Sequence, residues 1–190
     1  MRAIICLTLS VLMVLFAPAR AQHQSAPVIP SQGTVQVAFP PWDDAESLLL
    51  EALSRAQREI LVQAYLLTSR PIAASLIAAK QRGLAVKVLA DARQHGDNPG
   101  SLLVALVDKG IPVWLETRYR NAHNKIMLID EGTKEVMIVT GSYNFTRSAQ
   151  HANAENLLFI RGNAALARQF RQNWERHRND ASEFRLTVAQ

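Results

Sequence analysis

The sequence predicts an α/β fold, a mixed β-sheet flanked by helices, in one domain after a signal peptide. Three observations lead there. Strand-like and helix-like apolar segments alternate from Thr34 to Leu115, separated by short turns. Beyond residue 123 three strand-like segments follow one another, and the first two lie too close together to be joined by a crossover helix. The length of 190 residues, at about 100–200 residues per domain, suits one domain.

Residues 1–21 stand apart from the fold. Arg2, the apolar run Ala3–Ala17 and the small-x-small triplet Ala19-Arg20-Ala21 have the order of a secretory signal peptide cleaved after Ala21. The run is short for a membrane span and Pro18 interrupts it, so no stable membrane anchor is expected after cleavage. The expected location is periplasmic or secreted. Cleavage removes Cys6, the one cysteine, leaving no thiolate nucleophile, disulfide or Cys-type zinc site.

Residues 22–33 read as a flexible lead-in and 34–180 as the folded domain, with 181–190 as a tail. Thr34–Phe39 is the first strand, stopped by Pro40-Pro41, and Asp43 or Asp44 can cap the next helix. That helix places Ala45, Leu48, Leu49, Ala52, Leu53 and Ala56 on one face. Glu59–Leu67 is a strand and Pro71–Arg82 a helix stopped by Gly83. Leu84–Ala90 is a strand, Asn98–Lys109 a helix closed by Gly110, and Ile111–Leu115 a strand. Asn124–Ile129, Glu135–Thr140 and Asn156–Ile160 are strands. Asn163–Arg178 is a last helix with Leu166, Phe170 and Trp174 on one face.

The formal net charge is +5, and it is unevenly placed. Ten basic and five acidic side chains lie between Arg118 and Arg178, so the second half carries the positive excess. It also carries the segment His123-Asn124-Lys125-Ile126-Met127-Leu128-Ile129-Asp130, followed by Gly141-Ser142-Tyr143-Asn144. On a strand, His123, Lys125, Met127 and Ile129 share one face, and Asn124, Ile126, Leu128 and Asp130 the other. A cation at the start of a buried apolar strand is costly unless an anion or an open site meets it. The pair suits phosphate chemistry, because an imidazole attacks phosphorus and an ammonium stabilises charge on its oxygens. Ser142 and Asn144, two apart after Gly141, offer neutral hydrogen bonds to the same oxygens. Asp130, of opposite parity, is expected to have a structural partner. A lone strand-start histidine, a lone edge lysine or a lone Gly-Ser-x-Asn turn is ordinary; their joint occurrence is not.

His123-x-Lys125-x4-Asp130 with Gly141-Ser142-x-Asn144 resembles the HKD motif of the phospholipase D superfamily. Phe39-Pro40, Ala64-Tyr65-Leu66-Leu67-Thr68 and Asn153-Ala154-Glu155-Asn156 resemble its small single-motif secreted bacterial endonucleases, over most of residues 34–175. The resemblance implies a phospholipase D/nuclease-like sandwich and a phosphohistidine intermediate that water resolves, with no metal or other cofactor. His123 is then the nucleophile. Lys125, Ser142 and Asn144 hold the phosphate, and Glu155 orients the histidine. Two motifs normally meet at one site, but His95, His151 and His177 lack an accompanying lysine. The resemblance therefore implies a homodimer with the site on its two-fold axis. The ten residues from Glu131 to Thr140 exceed the usual spacing, and a longer hairpin turning near Glu131-Gly132-Thr133-Lys134 is expected to absorb them.

Three functions remain open on the sequence. The first is a metal-independent, non-specific endonuclease on DNA or RNA, with Arg118 and Arg120 as backbone contacts. The second is a phospholipase D acting on phosphatidyl head groups, although no mature segment shows a strongly amphipathic apolar face. The third is a non-catalytic nucleic-acid-binding protein, which would need no nucleophile. A metal-dependent hydrolase has no His-Glu-x-x-His to rest on.

Overall fold

The computed structural model describes residues 25–186, so the signal-peptide reading of residues 1–21 and the last four residues lie outside it. The described strands form one eight-stranded mixed sheet in the order β1-β7-β6-β5-β2-β3-β4-β8. These are β1 (Thr34–Ala38), β2 (Glu59–Ala64), β3 (Ala85–Asp91), β4 (Val113–Glu116), β5 (Lys125–Ile129), β6 (Met137–Gly141), β7 (Leu157–Arg161) and β8 (Ser182–Phe184). β2, β3 and β4 run parallel, as crossover helices require. β5, β6 and β7 form an antiparallel meander, and β5 joins the two halves by pairing antiparallel with β2.

Helices cover both faces. α1 (Ala45–Arg55) starts at Asp44, whose carboxylate accepts from Ser47 N at 3.0 Å, and buries Ala45, Leu49, Ala52 and Leu53. α2 (Arg70–Gln81) starts at Ser69, with Pro71 in its first turn, and buries Ile72, Ala73, Leu76 and Ala79. Both pack on the sheet face that carries Ile60, Val62, Val86, Val88, Met127 and Ile129. The opposite parity carries Leu61, Leu89, Leu128 and Ile138, which meet Ala167 and Trp174 of the long helix α6 (Ala164–Asp180). Each fully buried Leu or Ile contributes about 1.5–3 kcal/mol. Trp174 adds a hydrogen bond from its indole N–H to Val62 O at 3.1 Å.

Four segments depart from the sequence reading. The helix expected over Asn98–Lys109 begins only at Leu103, as α4 (Leu103–Asp108), because Asn98-Pro99-Gly100 forms a turn closed by Gly100 N on Asn98 Oδ1 at 2.9 Å. A short α3 (Ala92–Asp97) precedes it, with no buried residue to betray it in sequence. A third short helix, α5 (Arg147–His151), follows Asn144. The segment read as tail supplies β8, which pairs antiparallel with β4. The hairpin between β5 and β6 does turn where the extra residues sit, through Asp130 at φ 53° and Gly132 at φ 84°.

Strand direction positions the site. The ends of β1, β2, β3, β4 and β6 and the starts of β5 and β7 all gather at one rim, as the pairs Ala38↔Leu157, Gly141↔Leu157, Ala64↔Lys125 and Asp91↔Glu116 show. Loops outside the carboxyl ends of parallel strands are where α/β sheets place ligands.

Candidate active site

Lys125 opens β5, between β2 and β6 in the interior of the sheet, and is buried. Its Nζ lies 2.9 Å from His123 Nδ1 and donates to the His123 carbonyl at 3.1 Å. The two side chains meet because residues two apart on an extended chain project to the same side. Tyr65, one residue beyond β2, completes the cluster. Its ring centroid is 4.3 Å from that of His123 and 4.9 Å from Lys125 Nζ. Tyr65 N donates to Asn124 O at 2.9 Å, locking the two chain segments together.

The electrostatics follow from burial. Loss of water pushes the Lys125 ammonium below the usual lysine value, and the nearby Glu155 carboxylate partly offsets this. His123 is likewise held below the ordinary imidazole value, first by desolvation and then by the Lys125 charge, with Asp91 opposing both. A neutral imidazole beside an under-compensated cation is an arrangement to which an anionic diester contributes the missing charge.

Gly141, Ser142 and Asn144 arrive at the end of β6. Gly141 is required sterically, since a Cβ there would stand 2.2 Å from Asn156 O. Ser142 Oγ donates to Glu155 and accepts from Asn156 N at 3.0 Å. Glu155 also accepts from Asn153 Nδ2 at 2.9 Å. The hydrogen bonds of the Glu155 carboxylate, among the described residues, thus run to Ser142 and Asn153, not to His123. Asn144 Oδ1 is buried and without a partner among the described residues, as is the Tyr143 hydroxyl.

Asp130 lies at the far end of β5, about 16 Å from Lys125 at roughly 3.3 Å per residue. Its carboxylate is buried and accepts from Gln57 N, Arg58 N and Glu59 N at 2.8, 2.7 and 3.1 Å. Arg118 is paired with Asp180, whereas Arg120 is exposed and enters no ion pair among the described residues. The loop carrying both arginines is tied to α6, where His177 bonds to buried Glu116 and Tyr119 stands 5.3 Å from the His177 ring.

Sequence reading missed two contributors. Tyr65 lies within Ala64–Thr68, a segment that carries the family resemblance without assigning the tyrosine a role. Asp91 caps α3 by accepting from Gln94 N at 2.9 Å, and its other oxygen accepts from Ala122 N at 2.7 Å, fixing the residue before His123. An Asp closing a strand ahead of a polar segment is a cap signal. Its second partner, 31 residues on, leaves no local trace.

Residues 49–178 match the family model described as "Cardiolipin synthase, PLD-like domain". A phospholipase D from Rickettsia typhi is 35% identical over 153 residues, covering 80% of this chain and 72% of that protein. A mitochondrial cardiolipin hydrolase from Xenopus laevis is 29% identical over 150 residues, covering 79% and 69%. Among solved structures, the phospholipase D family member Nuc from Salmonella typhimurium superposes with TM-score 0.74 at 31% identity, covering 80% of this chain and 99% of Nuc. NucT from Helicobacter pylori shares the fold, with TM-score 0.71 at 21% identity, covering 80% and 99%. With the family model spanning most of the fold and Nuc sharing its sheet and helices, the chain belongs to the phospholipase D superfamily and is one of its phosphodiester hydrolases.

Proposed function

We propose that the protein cleaves the phosphodiester backbone of nucleic acid without a metal, His123 attacking phosphorus to form a phosphohistidine. The observation that carries this reading is the His123–Lys125 pair at a rim flanked by Arg120, which enters no ion pair among the described residues. Nε2 is the attacking ring nitrogen, so the Nδ1 contact with the Lys125 ammonium, which can only donate, gives way to an acceptor during the reaction. The new N–P bond replaces one P–O bond, and the departing oxygen takes a proton from a general acid. Water then attacks the phosphohistidine and restores the imidazole. Lys125, Ser142 and Asn144 hold the non-bridging oxygens.

A nucleophilic Nε2 needs the proton on Nδ1, which a carboxylate would hold. Within one chain Glu155 is engaged by Ser142 and Asn153. A homodimer whose rims meet at the two His123–Lys125 pairs brings a second histidine as general acid to each site and leaves the β1 end of the rim open. Glu155 takes the Nδ1 proton by releasing the Ser142 hydroxyl, which is then free to donate to the phosphate. This reading places the protein in the periplasm or outside the cell, after loss of residues 1–21. The second reading, hydrolysis of phosphatidyl head groups, is favoured by the names of the Rickettsia and Xenopus relatives.

The test is purified protein in excess EDTA, given single-stranded DNA, plasmid, or vesicles of phosphatidylcholine and cardiolipin, with His123→Ala alongside. We expect DNA cleavage by the wild type and a loss of about 10⁴-fold or more in His123→Ala at unchanged melting temperature. Cleavage of lipid alone selects the second reading. Loss of activity in EDTA with rescue by magnesium overturns the mechanism.

A further inference from the structure

At the rim, β1 ends in a turn that the phosphate chemistry does not use. Phe39 O accepts from Trp42 N at 3.1 Å and from Asp43 N at 3.2 Å, and Asp43 Oδ2 accepts from Phe39 N at 2.8 Å. Gln150 Nε2 donates to Asp43 O at 2.9 Å, and Glu155 N donates to Pro40 O at 3.1 Å. The turn is therefore stiff and is fastened to the segment that carries Glu155. On it stands Trp42, 84% exposed, with Phe39 half-exposed at the turn's other end. An indole held this far into water on a rigid turn contributes almost nothing to the core and exposes an unused aromatic face.

Strand order places that face relative to the His123–Lys125 pair. β5, which carries Lys125, has β6, β7 and β1 on one side and β2, β3 and β4 on the other. At about 4.8 Å per strand, the end of β1 is about 14 Å from β5, and the loop with Arg120 begins at a similar distance on the opposite side. A chain laid along the rim passes the arginine loop, the His123–Lys125 pair and Trp42 in turn.

We propose that Trp42 is a stacking platform for an unpaired base flanking the scissile phosphate. The proposal rests on the nuclease reading and deepens it. A base in a single strand presents a free π-face, whereas in a duplex that face is covered by its neighbours. The charges of the turn fit a base better than a bilayer. Its flanking side chains are Asp43 and Asp44, both engaged by backbone N–H groups, and no lysine or arginine stands among residues 39–46, as a membrane-surface anchor would have.

The experiment measures binding of a short oligothymidylate and of an abasic strand of equal length, with His123→Ala as the common background so that neither is cut. Adding Trp42→Ala is expected to weaken oligothymidylate binding by about five- to a hundredfold. It leaves the abasic strand within about twofold, since backbone contacts are untouched, and Trp42→Phe restores most of the loss. Equal loss on both strands, or none on either, overturns the platform while leaving the nuclease reading intact. A Trp42→Ala protein that sediments as a smaller species shows that a second copy covers the indole. One that loses vesicle binding shows a lipid surface instead, and either result overturns the proposal. If the parent protein neither binds nor, as wild type, cuts nucleic acid, the nuclease reading falls as well.

Discussion

The two ends of β5 each hold a buried charge, and the protein treats them in opposite ways. At one end Asp130 receives three backbone N–H donors from residues 57–59, so its charge is fully compensated. At the other, Lys125 has an imidazole nitrogen, a carbonyl and an aromatic ring for company, with the Glu155 carboxylate bonded elsewhere. A compensated buried charge stabilises the fold, because its desolvation is offset by hydrogen bonds. An under-compensated one costs stability and is retained where a ligand completes it. One strand thus joins a structural anchor to the proposed reactive site, with the buried apolar residues Ile126, Met127, Leu128 and Ile129 between them.

Mutation at each end tests that contrast. Lys125→Met removes the cation without removing the stem that packs in the sheet. We expect diester cleavage to fall about 10²–10³-fold, with the melting temperature unchanged or higher. The sign follows from Lys125 lying below its ordinary value: the folded state disfavours the charged form, and that penalty is present at neutral pH and fades as pH rises toward the usual lysine range. A clear drop in melting temperature would show that the cation is structural after all.

Asp130→Asn should do the reverse. Losing the charge that three N–H groups share costs about 1–3 kcal/mol of stability, measured by urea unfolding. Turnover per folded molecule should stay near wild type. A loss of turnover at full stability would place Asp130 in the chemistry.

The smallest effect is in the pH profile. His123 lies below the ordinary imidazole value, so its ring stays neutral as the medium is acidified, and with His123 as the proposed nucleophile the acid limb of kcat/KM is expected below that value. Asp91 is the one charge that raises it. Asp91→Asn should therefore move the acid limb to still lower pH, and a shift upward would mean that Asp91 does not act on His123 through its charge.

Much of β5 and its approach is legible in the order of its residues. Strand parity puts His123 beside Lys125 and turns Asp130 the other way, and the hydrogen bonds run accordingly. The apolar faces of α1 and α6 and the hairpin near Glu131–Lys134 are equally readable, since each depends on residues within a few positions of one another. α3 is invisible because none of its residues is buried, and β8 because three residues carry no periodicity. Trp42 gives no signal of its own, as only burial distinguishes an exposed tryptophan from a core one.

Local pattern by itself determined the alternation of elements, the mixed sheet and the juxtaposition of His123 with Lys125. Tertiary structure alone decided who compensates whom. Asp130 is met by residues 57–59, Ala122 by Asp91, Glu155 by Ser142, and Glu116 by His177. Each of those pairs joins positions that strand order brings together. Burial and compensation, which separate an anchoring charge from a reactive one, are properties of packing that periodicity along the chain does not encode.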